Sequence, residues 1–191
     1  MLLELLMQTG AAVLLPVMLV CHFARFHSVK KTLLYTLFAL YLCEMCSLVG
    51  LPSVTYIRFD VNVNWIPLQD IWEVHSLLNV LLFVPLGFFL PMLWQRWSLK
   101  QAALEGFFLS LTIELLQIFT FRATDINDLI TNTLGTILGY CLALAVKKCF
   151  PRLPIQGWKS SERFELYAIV LATMLLAQPL LNNIVYGAIY G

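Results

Sequence analysis

Six side chains that can carry charge or exchange hydrogen bonds, Glu114, Gln117, Arg122, Asp125, Asp128 and Asn132, fall in one stretch, ELLQIFTFRATDINDLITNTLGTILGY, between apolar runs. Such a set suits three kinds of chemistry. An arginine among carboxylates can hold an anionic group through charge-assisted hydrogen bonds. Paired carboxylates can act as acid and base, or hold a divalent metal. The third reading is architectural: Asp125 caps a helix, Asp128 supports its dipole from the first turn, and Arg122 knits the ends together. Nothing in the pattern is a nucleophile–base motif, so the catalytic residues are unknown at this stage and the question of an enzyme stays open.

The surroundings make the cluster unusual. Of the 191 residues, 60% are hydrophobic and only 12% charged, about half the charged share of a soluble domain. Apolar segments of about 20 residues recur, each long enough to cross a hydrocarbon core. They lack period-2 alternation, so helices rather than a barrel satisfy the backbone. The expected fold class is all-α: a polytopic transmembrane helical bundle of about six spans, in one transmembrane domain over 1–191. The spans are expected at Leu2–His22, Thr32–Leu51, Ile71–Trp94, Ala102–Phe121, Ile126–Val146 and Leu166–Tyr190. The first has no positively charged leader and no small-residue cleavage site, so it is expected to remain as a helix.

Loop charge sets an expected orientation. Ten of the twelve Lys and Arg residues lie in the first, third and fifth loops, among them Arg25, Arg96, Lys147 and Arg163. Basic loops mark the cytoplasmic side, which puts both termini outside. On that topology Glu44, Asn79, Glu114, Gln117, Asp128, Asn132 and Gln178 all fall in the outer half of the membrane, where intramembrane charges face partners or a wet cavity rather than lipid. Glu114 and Gln117 share a helix face. Asp128, Asn132, Gly135 and Gly139 trace one stripe whose GxxxG pair invites a second helix to approach closely. Asn79, Phe83 and Gly87 share one face of the third span, beside Pro85 and Pro91, which tend to kink a helix. The expected result is an outward-facing polar pocket built from Asn79 and the hairpin residues, with Trp65 and Trp72 as interface anchors and Asp70, Glu73 and His75 at its mouth. Cys43 and Cys46 have zinc-pair spacing, but no second pair completes a tetrahedral site. No metal and no cofactor is expected, and nucleic acid is not an expected partner.

The series Glu114, Gln117, Arg122, Asp125, Asp128, Asn132, Gly135, Gly139, preceded by NWIPL and NVLLFVPLG, resembles the VanZ-like family of bacterial membrane proteins over about residues 60–146. The resemblance implies a multi-pass protein of the bacterial cytoplasmic membrane. It also implies a link to low-level resistance to the lipoglycopeptide teicoplanin, a phenotype rather than a reaction. On this reading the partners are membrane lipids, together with an amphipathic cell-wall precursor or lipoglycopeptide held by Asn79, Glu114, Gln117, Arg122, Asp125, Asp128 and Asn132. An enzyme acting on a lipid-linked substrate, or a lipid transporter or flippase, are the alternatives. The oligomeric state is not legible.

Overall fold

The computed structural model describes residues 10–52, 54–55, 57, 59, 63–64, 74–120, 124–152 and 156–190. Arg122, and the expected anchors and mouth residues Trp65, Asp70, Trp72 and Glu73, lie outside them, as does the start of the first span. The helices in chain order are α1 Ala11–Cys21, closed by a π-helical turn at His22–Phe26, α2 Val29–Val49, α3 Val74–Leu93, α4 Leu99–Gln117, α5 Ile126–Cys149, α6 Glu162–Ala172 and α7 Gln178–Tyr190. A π-helical segment, Thr173–Ala177, joins α6 to α7 without a break, so the last span is one rod.

Among the described residues four helices have the length and apolar character to cross a bilayer: α2, α3, α5 and the α6–α7 rod over Glu162–Ala188. The chain is a helical integral membrane protein. The described part of the first span, Ala11–Phe26, is apolar but shorter. α4 is long enough but carries Lys100, Glu105 and Glu114. Its N-terminus is fixed by a capping box in which the Ser98 hydroxyl accepts from the Gln101 amide and the Gln101 side chain accepts from the Ser98 amide, satisfying two otherwise orphaned donors.

The chain divides into two compact units, Met1–Arg58 with Ser161–Gly191, and Phe59–Ser160. In the first, Lys31 on α2 pairs with Glu162, which also accepts from the Tyr35 hydroxyl, and Arg25 pairs with Glu165. The π segment shifts the helical hydrogen-bond register, and the Leu175 carbonyl there accepts from the Val54 amide at 2.9 Å, an insertion that such irregular turns permit.

The second unit holds the polar hairpin. α3 and α5 run parallel, and α4 lies antiparallel to α5. The α3–α5 seam is made by glycine. A Cβ on Gly87 would sit 1.9 Å from the Thr136 carbonyl oxygen, one on Gly135 2.2 Å from that of Val80, and one on Gly139 1.9 Å from that of Val84. Backbone therefore touches backbone along three turns, and the GxxxG pair of α5 meets a reciprocal glycine on α3. α3 remains one helix through Pro85 and ends just past Pro91. A short parallel pairing, β1 Val63–Asn64 with β2 Thr124–Asp125, ties the entry of α5 to the segment before α3.

Candidate functional site

The buried stripe of α4 changes character along its length: Ala102, Gly106 and Ser110, then Glu114 and Gln117. Its lower half is small because α5 comes close; a Cβ on Gly106 would meet the Thr136 hydroxyl at 2.3 Å. Its upper half is polar because it faces the start of α5. There the Glu114 Oε2 accepts from the Asp125 backbone amide at 3.0 Å, and the Asp125 carboxylate accepts from the Asn127 amide at 2.8 Å. Asp125 is thus the N-cap of α5, as its position in the sequence predicts. Glu114 performs from a neighbouring helix the reach-back that a capping box makes locally.

Asp128, one turn further, turns toward α3. Its Oδ1 accepts from Asn79 Nδ2 at 2.6 Å, and its Oδ2 lies 3.7 Å from His75 Nε2. Asn132 turns toward α4 and donates from Nδ2 to the Ser110 hydroxyl at 2.9 Å. Glu114, Gln117 and Asn132 are each only 4% exposed, so these polar groups sit inside protein and away from lipid. The Asn132 side-chain oxygen is buried without a hydrogen-bond partner among the described residues.

The structure therefore brings Asn79, Glu114, Asp125, Asp128 and Asn132 to one end of α3, α4 and α5, with Gln117 buried in the last turn of α4. Arg122 lies outside the described residues. Glu44 is on the exposed side of α2. His75, expected at the pocket mouth, does reach the set, and Ser110 joins it as a residue the motif did not include. His75 precedes Asn79 by four residues, on the same α3 face, and Ser110 precedes Glu114 by four on α4. Among the described residues no three His, Cys, Asp or Glu side chains group in a way that could hold a metal ion.

A parallel pair of glycine-packed helices carrying hydrogen-bonded carboxylates at one end, with a third helix capping them, defines a class: a helical membrane protein with a polar end-cluster. The chain matches the VanZ/LLP1 family over residues 38–147, which covers all of α3, α4 and the cluster and begins within α2. It belongs to that family. Over 62 residues it is 42% identical to Protein VanZ of Enterococcus faecium, a stretch that is 32% of this chain and 38% of that relative's length. No solved structure matches it.

Proposed function

We propose that the end-cluster is an outward-facing binding site of a bacterial cytoplasmic-membrane protein. It would take the polar part of an amphipathic envelope molecule, a lipid, a wall precursor or a lipoglycopeptide, and so link the protein to teicoplanin resistance. The observation that carries this is the convergence of Asp128, Asn79, Glu114 and Asp125 from three helices. Buried or half-buried charges of this kind are kept where they meet partners or ligands. Arg122, adjoining the cluster in sequence, supplies the cation for an anionic group. Binding rather than passage is supported by the seam beneath, where Gly87, Gly135 and Gly139 bring backbones together and leave little room between α3 and α5 for a lipid.

The test is teicoplanin susceptibility in cells that express the chain. Asp128→Asn and Arg122→Gln are expected to return cells to the susceptibility of those lacking it, at undiminished protein level. Wild-type protection by both variants refutes the site. Sidedness is checked separately. Thr124→Cys, in a background with the native cysteines replaced by alanine, is expected to react with an impermeant maleimide in intact cells; reaction only after the membrane is opened reverses the topology.

The approach of His75 to Asp128 favours a second reading, an enzyme acting on a lipid-linked substrate. A carboxylate beside an imidazole orients it for proton transfer. Mass spectrometry of envelope lipids with and without expression separates the two, since a binding protein leaves lipid structures unchanged.

A further inference from the structure

The opposite end of the same unit holds a second polar site. Here α3 ends, α4 begins and α5 finishes, and the segment 156–160 folds back onto the loop between α3 and α4. Backbone bonds hold the two loops together: Gln95 N donates to the Trp158 carbonyl, Trp158 N to that of Leu93, and Gln156 N to that of Met92, at 3.0–3.1 Å. The Ser160 hydroxyl donates to the Gln95 carbonyl at 3.0 Å. Tyr140 of α5 donates to the Trp97 carbonyl at 2.9 Å.

Between them lies a hollow of about 410 Å³, lined chiefly by Trp94, Trp97, Arg96, Lys147, Pro91 and Leu144, and none of its lining residues is acidic. That volume is within the range of small-ligand sites. Lys147 is only partly exposed, and its ammonium donates to the Pro91 carbonyl at 3.2 Å. This bond holds the charge at the hollow and leaves two further donors for a ligand. Arg96 is exposed and has φ of 58°, a left-handed backbone that glycine or asparagine adopts more easily. An arginine kept there places a guanidinium at the mouth. Leu144 is 44% exposed on α5, so the hollow adjoins exposed apolar surface.

We propose that this hollow binds the phosphodiester headgroup of an anionic phospholipid. The two cations take the phosphate, the indoles sit at headgroup depth as interfacial aromatics do, and an acyl chain runs out over Leu144. Basic pockets between membrane helices on the side rich in Lys and Arg recognise such headgroups. A free phosphate satisfies the cations but leaves Leu144 and the part-exposed Trp97 uncovered, Trp94 being buried already, so the lipid is the occupant the lining fits.

The test uses the full chain, delipidated in a neutral detergent, with lipid adducts counted by native mass spectrometry. Phosphatidylglycerol is expected to bind at least about tenfold more tightly than phosphatidylcholine, and Arg96→Gly and Lys147→Gln are each expected to weaken it about tenfold. Lys147→Gln also loosens the end of α3, so Arg96→Gly is the decisive variant: relief of the left-handed strain should leave its melting temperature equal or higher. Equal binding of the two lipids, or unchanged phosphatidylglycerol affinity in folded Arg96→Gly, overturns the proposal. Glycerol phosphate competing as strongly as the lipid overturns it in favour of a free-anion site.

Discussion

Gly139→Ala is expected to destabilise the protein by roughly 3 kcal/mol or more, because the new methyl meets a backbone oxygen that cannot step aside. Its Cβ would lie 1.9 Å from the Val84 carbonyl oxygen and 2.9 Å from the Phe88 amide nitrogen. Both atoms belong to α3, locked in its own hydrogen-bond ladder. The strain is relieved only by moving α3 away from α5, and that opens the seam over its whole length, including the contact of the fully buried Phe83 with Gly135. Gly87→Ala should match it, since its Cβ would stand 1.9 Å from the Thr136 carbonyl oxygen. With total stabilities of only about 5–15 kcal/mol, either change should sharply cut the folded fraction, read as melting temperature in detergent and as yield from membranes. Gly187→Ala is the internal control: among the described residues, nothing beyond its own helix backbone and chain neighbours lies within 4 Å of its added Cβ. There the gain in helix propensity should leave stability unchanged or raise it by up to about 1 kcal/mol. Equal melting of Gly139→Ala and Gly187→Ala contradicts the packing described.

The same seam marks what a sequence of this kind discloses. The stripe through Gly135 and Gly139 is visible as a 3.6-residue period of small side chains, and it does meet another helix. Which helix it meets is fixed by Gly87 and by the carbonyls of Val80 and Val84, a tertiary fit that no periodicity encodes. Asp128 and Asn132 look like neighbours on that stripe, yet they serve different partners, Asn79 and Ser110. Four residues turn about 40° past a full revolution, enough to hand successive side chains to the helices on either side. Hydropathy ends the fifth span at Val146, whereas α5 continues to Cys149 because Lys147 and Lys148 suit the last turn of a helix, where the dipole is negative. The pairing of Val63 with Thr124 joins two-residue strands far apart in the chain, too short to leave any pattern. The capping of α5 was legible at Asp125; that Glu114 completes it from α4 was not, since the bond crosses eleven residues and a turn.

Glu114 is where the architecture and the proposed binding role meet, and a pair of substitutions separates them. Glu114→Ala removes the acceptor of the Asp125 amide and empties a site that is 4% exposed. An orphaned buried donor costs about 1–3 kcal/mol, and the void adds to it. The expected loss is therefore roughly 3 kcal/mol, with the first turn of α5 fraying and Asp128 losing its fixed approach to Asn79. The teicoplanin protection proposed above should vanish with it, but that result alone would not tell a cap from a ligand group. Glu114→Gln retains the volume and an amide oxygen that can accept from Asp125, so it should melt within about 1 kcal/mol of the parent. What it lacks is the negative charge. If the carboxylate orients Arg122 or a ligand, Glu114→Gln folds and still fails to protect, because charge-assisted bonds are about twice as strong as neutral ones. Full protection by Glu114→Gln would instead make Glu114 a capping residue, and would leave ligand recognition to Asp128 and Arg122.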